Sequence, residues 1–201
     1  FERLVPALRA QFAAGCTVPP RHVHELAAGG ETMTSLIMPA WTARHYGIKT
    51  VNIAPGNAAR ALPALHAAYL LFDAPSGAPL ALMDGAVITS RRTAAASALA
   101  ASWLARDDAR HLLVVGAGAV ARLLPAAYRV VRPIERVSVW ARRAEAAQRL
   151  AAQLRDEGFD AAAVDALDAA AGAADIVSCA TLATAPVVQG RWLRAGSHLD
   201  L

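Results

Sequence analysis

His111-Leu112-Leu113-Val114-Val115-Gly116-Ala117-Gly118-Ala119-Val120-Ala121 decides the fold of this 201-residue chain. An apolar run of strand length stops at two glycines one residue apart, and an alanine follows three positions after the second. That is the turn of a dinucleotide-binding βαβ unit. Gly116 permits the tight turn, Gly118 lets the backbone approach a pyrophosphate, and Ala121 leaves room for close helix–strand packing. The helix that opens here aims its free N–H groups and positive dipole end at phosphates. Gly116, Ala117, Gly118, Ala119 and Val120 are therefore candidate cofactor contacts. Glycine turns also occur in unrelated α/β proteins, so the flanks matter. Residues 119–131 read as helix, 135–140 as an alternating strand and 144–156 as an amphipathic helix.

The end of the second strand selects the nucleotide. An NAD site places Asp or Glu about 20 residues past the glycines, on the ribose 2′-hydroxyl. Here the segment is Trp140-Ala141-Arg142-Arg143, with no acid. Two guanidiniums suit a 2′-phosphate, which arginine grips through a bidentate, charge-assisted fork. Arg142 and Arg143 favour NADPH, with NAD as the other possibility; the alternative is that both are solvated residues at the start of the next helix.

Working outward, further strands at 161–164, 175–179 and 198–201 continue the alternation to the end, a parallel-sheet pattern. Upstream the texture changes. A helix at 2–12 and an extended, proline-bound stretch at 17–23 precede short strands at 34–38, 49–53, 67–72 and 80–83. Asp73-Ala74-Pro75-Ser76-Gly77 is a turn, Asp84-Gly85 a further turn, and an alanine-rich helix spans 93–104. The expected fold is α/β: a Rossmann-type doubly wound parallel domain at 109–201, joined to a β-rich α+β domain at 1–108. The first residue is Phe1 and the last strand stops at Leu201, so the chain reads as incomplete at both ends.

Composition removes several classes. The chain is 56% hydrophobic and 18% charged, enough to bury real cores. No apolar run approaches the roughly 18 residues of a membrane span, and no signal peptide is visible. Its net charge of +4 is scattered, with no basic block or aromatic platform, which argues against nucleic acid. Cys16 and Cys179 lie far apart without ligand spacing, consistent with a reduced cytoplasmic setting. His22 and His24 are two apart, but no acid or cysteine completes a metal site, so no metal is expected.

Of the 20 Lys and Arg residues, one is lysine: Lys49. A chain this biased to arginine keeps lysine where it needs a compact ammonium whose pKa burial can tune. Ile48-Lys49-Thr50-Val51-Asn52-Ile53 alternates, placing Lys49 on a face with Val51 and Ile53. The bland reading is a survivor snorkelling from a strand edge. Ser90-Arg91-Arg92-Thr93 falls at the expected helix start, where a cation is out of place unless an anion is held there. With Lys49 and Arg21, Arg92 forms a candidate carboxylate clamp.

In this order, several segments resemble the ornithine cyclodeaminase/mu-crystallin family: Leu36-Ile37-Met38-Pro39-Ala40, Gly47-Ile48-Lys49, Pro55-Gly56-Asn57, Phe72-Asp73 with Ser76-Gly77, Met83-Asp84-Gly85 with Ile88-Thr89, Arg92 to Ala100, Gly116-Ala117-Gly118, and Ala180-Thr181 with Pro186. The resemblance implies a Rossmann domain joined to a β-rich substrate and dimerisation domain, and redox chemistry at the α-carbon of an amino or cyclic imino acid. By position, Arg21, Lys49 and Arg92 match the family's substrate-carboxylate and catalytic residues, and Ala117, Arg142 and Thr181 match cofactor contacts. Pro63-Ala64-Leu65-His66 departs from the family pattern, which puts one cofactor-side contact in doubt, and the cyclodeaminase acid would fall beyond Leu201.

The expectation is a homodimeric oxidoreductase acting on a small-molecule amino or imino acid, with Lys49 and Arg92 catalytic and Arg21, Lys49 and Arg92 substrate-binding. It reduces a cyclic ketimine acid such as Δ1-pyrroline-2-carboxylate with NAD(P)H. The alternatives are a cyclodeaminase converting ornithine to proline plus ammonia with NAD, and a non-catalytic NADPH-binding protein.

Overall fold

The computed structural model describes residues 1–201, apart from the side chains of Ala28 and Ala58. The chain divides into two compact units, Phe1–Arg9 with Ser90–Leu201 and Ala10–Thr89. The strand–helix alternation begins near residue 109, but the first of these units begins earlier. The reason is a small-residue stripe on the helix Gly85–Leu104: Ala94, Ala95, Ala98 and Ala101 are fully buried in one core with Leu112 and Val114.

The larger unit is built on a five-stranded, all-parallel sheet. Its strands are β6 (His111–Val115), β7 (Arg136–Trp140), β8 (Asp160–Ala163), β9 (Ile176–Cys179) and β10 (His198–Asp200), in the order β10-β9-β6-β7-β8. Read from β8 this is the Rossmann order 3-2-1-4-5, and it reverses between β6 and β9, where such sheets take their ligands. Alternate residues serve opposite faces. Leu112, Val114, Val137 and Val139 pack under α3 (Ala119–Arg129) and α4 (Ala144–Asp156), while Leu113, Val115 and Val177 pack with α5 (Leu167–Ala173). Because both faces are covered, each residue of β6 is buried, and the sequence shows a continuous apolar run.

Polar ties close the unit. Arg132 is buried and donates to the carbonyls of Ser102 (3.0 Å) and Ala105 (2.7 Å), satisfying the C-terminal end of the Gly85–Leu104 helix. Asp200 accepts from Ser178 Oγ (2.5 Å) and from the Tyr128 hydroxyl (3.1 Å), linking β10 to β9 and α3. Burial first, and then the Asp200 charge, push the Tyr128 hydroxyl far up, so it stays a donor.

The smaller unit is a five-stranded antiparallel meander: β1 (His22–Ala28), β2 (Glu31–Trp41), β3 (His45–Ile53), β4 (Leu65–Asp73) and β5 (Pro79–Asp84), in sequential order. α1 (Leu4–Ala14) precedes it. Three sequence expectations change here. The stretch expected to be merely extended leads into β1. Strands 2–5 each run longer than expected, β2 by three residues at either end. The helix expected at 93 begins at Gly85, as α2 (Gly85–Leu104). Asp84 accounts for the last difference, because its Oδ1 accepts from the N–H groups of Ala86 (2.8 Å) and Val87 (3.0 Å). It caps a helix where a turn was expected.

Candidate functional site

The glycine turn is built as a dinucleotide cradle requires. Gly116 adopts φ 125°, in the region that favours glycine, and its N–H donates to Trp140 O at 2.8 Å. A Cβ at Gly116 would run into the Ala180 carbonyl, which comes from the loop after β9. The two loops flanking the sheet's reversal point are thus in contact, and Thr181 stands beside the turn. Gly118 is the N-cap of α3, extended at φ −89° and ψ −171°, with no side chain capping the helix. A Cβ there would meet nothing within 4 Å. Uncapped N–H groups facing open space are what an anionic diphosphate satisfies. Ala121 is fully buried, as close packing requires, while Gly118 and Ala119 are exposed and Ala117 and Val120 half-buried.

Val115 pairs with Trp140, so Arg142 follows the neighbouring strand end beside the turn, and Arg143 is the N-cap of α4. Both arginines are exposed, and neither forms an ion pair among the described residues. The residues present fit a dinucleotide: a glycine-only turn, an open helix end and two uncommitted guanidiniums.

In the smaller unit, Lys49 is half-buried on one face of the sheet. Its cross-strand row is Met38, Lys49, Tyr69 and Met83. Desolvation raises the Tyr69 hydroxyl, which lies over Gly47; a Cβ at Gly47 would collide with it. Lys49 Nζ meets Thr89 Oγ1 at 3.5 Å. Arg21 is exposed and directly precedes β1, two residues before Val23, which pairs with Leu36 on this same face.

Arg91 and Arg92 require a correction. Because α2 starts at Gly85, both lie beyond its first turn, and the argument from a cation at a helix N-terminus does not apply to them. Both are exposed. Arg92 as a candidate therefore rests on its match to the family pattern.

The sequence reading missed Asp84, Thr89 and Ala180 as organisers. Asp84 was visible as a cap signal, whereas the Thr89 and Ala180 contacts span long stretches of chain and leave no local trace. Among the described residues no group of three His, Cys, Asp or Glu side chains is placed to hold a metal ion. The rings of His22 and His24 lie 6.4 Å apart. No described helix is long and apolar enough to cross a membrane.

Comparison with known proteins agrees with these features. The Δ1-pyrroline-2-carboxylate reductase of Paracoccus denitrificans is 49% identical over 189 residues, which cover 93% of this chain and 60% of the relative. The structure of Thermococcus litoralis Δ1-pyrroline-2-carboxylate reductase, in complex with NADH and L-proline, superposes with a TM-score of 0.86 at 34% identity, covering 98% of this chain and 61% of that one. An archaeal alanine dehydrogenase dimer with bound NAD gives a TM-score of 0.85 at 31% identity, covering 98% and 60%. The chain thus spans about three fifths of the length of these relatives. The match to the family itself runs over residues 4–201. The chain belongs to the ornithine cyclodeaminase/mu-crystallin family.

Proposed function

We propose that this protein is an NAD(P)H-dependent reductase of a cyclic ketimine acid such as Δ1-pyrroline-2-carboxylate. The observation carrying this reading is the single lysine of the chain, half-buried on a sheet face and in contact with Thr89. The 49% identity to a Δ1-pyrroline-2-carboxylate reductase supports the choice of substrate class.

In this reading residues 109–201 hold the cofactor and residues 1–108 hold the substrate and a second protomer. A reduced nicotinamide, when bound, supplies hydride. Gly116, Ala117, Gly118, Ala119 and Val120 seat its diphosphate, Thr181 borders that seat, and Arg142 and Arg143 grip a 2′-phosphate, which favours NADPH over NADH. Arg21 and Arg92 hold the substrate carboxylate and fix the imine carbon for attack, a positioning effect that accounts for much of such catalysis. Lys49 orients the carboxylate and keeps the imine nitrogen protonated, directly or through water.

A second copy of the chain covers the opposite face of the antiparallel sheet. That face carries Pro39, Trp41, Tyr46, Ile48, Leu70, Phe72 and Leu82, of which Leu82 is 72% exposed. The dimeric form of the similar alanine dehydrogenase supports this arrangement. Two free cysteines fit a reducing, cytoplasmic setting.

The test is a panel of cyclic imino acids and amino acids with NADPH and NADH, following the cofactor's oxidation state. Oxidation of NADPH by Δ1-pyrroline-2-carboxylate or its six-membered homologue is expected. Ammonia release from ornithine without added reductant would instead make the protein a cyclodeaminase. Cofactor binding with no turnover of any imino acid would make it a binding protein.

A further inference from the structure

Thr89 lies just past the first turn of α2, and its hydroxyl donates to the Gly85 carbonyl at 2.7 Å. With that proton committed, Oγ1 meets Lys49 Nζ as an acceptor, at 3.5 Å. An oxygen restricted to accepting favours the amine state with the stronger donors, the ammonium. Gly85 approaches the Ala67 backbone too closely to admit a Cβ, and Asp84 caps the turn just before Thr89. The hydroxyl thus sits at a capped helix start that packs on β4.

Apolar residues share this face with Lys49. Met38 and Tyr69 stand directly opposite it, with Met83 beyond and Val51 buried on its own strand. Among the described residues of this unit, the titratable and charged groups on this face are Tyr69 on β4, Glu25 on β1, which accepts from Thr34 Oγ1 at 2.9 Å, Arg21 just before β1, and the paired His45 and Asp73 farther along β3 and β4, with Asp84 at the head of α2.

We propose that Thr89 is a positioning residue for Lys49, directing its amine through the hydroxyl oxygen and favouring the protonated, proton-donating form. The inference rests on the reading of Lys49 as the group that protonates the imine. In that step a Lys49 N–H bond breaks as the imine N–H bond forms, the resulting iminium accepts hydride, and the amine regains its proton from water.

The experiment compares Thr89→Val, which keeps the side-chain shape without the acceptor, with Thr89→Ser, which restores the oxygen. Competitive acylation of the peptide containing Lys49 is followed against pH, alongside steady-state kinetics. For Thr89→Val the labelling midpoint moves to lower pH with an unchanged plateau, so that labelling below the midpoint rises about two- to five-fold. Its kcat falls by a similar factor, the basic limb of the pH profile moves to lower pH, and the KM for NADPH stays put. Thr89→Ser behaves as the parent. A parental labelling midpoint and basic limb in Thr89→Val, with Lys49→Met inactive, overturns the inference and leaves the Lys49 reading standing. Parental turnover by Lys49→Met overturns that reading and this inference together.

Discussion

The two sheets of this chain use apolar residues in opposite ways. In the parallel sheet, Leu112, Leu113, Val114 and Val115 are all fully buried, because helices cover both faces. In the antiparallel sheet, among the described residues, the strands hold Val51 and Gly47 as buried residues, and the others are half-buried or exposed. One of its faces carries Lys49 beneath the first turn of α2; the other is apolar and open within its unit. The parallel sheet is finished by its own chain and supplies a rigid floor for the glycine turn. In the proposed function the antiparallel sheet keeps its faces for what it would bind, a substrate on one and a second copy on the other.

The largest effect expected from this contrast is at Gly116. Gly116→Ala places a side chain at φ 125° against the Ala180 carbonyl, costing about 3 kcal/mol or more and abolishing cofactor binding. Gly118→Ala, where a Cβ meets open space, leaves the unfolding midpoint near parental while weakening NADPH binding; thermal unfolding with and without NADPH separates the two. Next in size is the open face. Leu70→Glu with Leu82→Glu sets like charges directly opposite each other on β4 and β5 and across any two-fold interface. The expected outcome is a monomer by light scattering, with NADPH binding retained.

Changing Arg142 and Arg143 together to alanine sharpens the nucleotide side. The ratio of kcat/KM for NADPH over NADH should fall by about 10- to 100-fold, the effect of losing one or two charge-assisted contacts to the 2′-phosphate. The smallest effect is a pH dependence confined to the parallel sheet. His111 is buried, with Nε2 2.8 Å from Ser138 Oγ, and desolvation holds its imidazole below the usual range. The unfolded chain therefore takes up a proton more readily than the folded one. Stability is full above about pH 6.5 and declines as the pH falls below it. Asp175 acts in the same direction at lower pH. Burial alone would raise its carboxyl, but the N–H groups of His111 and Arg110 and the guanidiniums of Arg194 and Arg106 hold it low. Thermal unfolding from pH 8 to 5 should show the decline, flattened in His111→Asn.

The same contrast explains what the sequence made legible. Strands buried on both faces write themselves as apolar runs, and the amphipathic helix expected at 144–156 is α4, Ala144–Asp156. In the smaller unit the signals are mixed. His22 and His24 interrupt β1 on one face, and Pro19-Pro20 just before it obscures its start. Asp84-Gly85 looks like a turn because an aspartate binding the N–H groups two and three residues on serves turns and helix caps alike. The candidate lysine was conspicuous by its rarity, but its partner Thr89 lies 40 residues away and only the fold brings them together. Arg92 was noticed for an electrostatic reason that the true start of α2 removes.

The most direct test of the whole account is single-turnover reduction of Δ1-pyrroline-2-carboxylate by NADPH, comparing the parent with Lys49→Met at matched cofactor occupancy. The account expects proline from the parent and a rate about 10²- to 10⁴-fold lower in the variant, the scale of a lost general acid, with NADPH affinity unchanged. An undiminished rate in Lys49→Met, or a parent that binds NADPH and yields no proline, would contradict it.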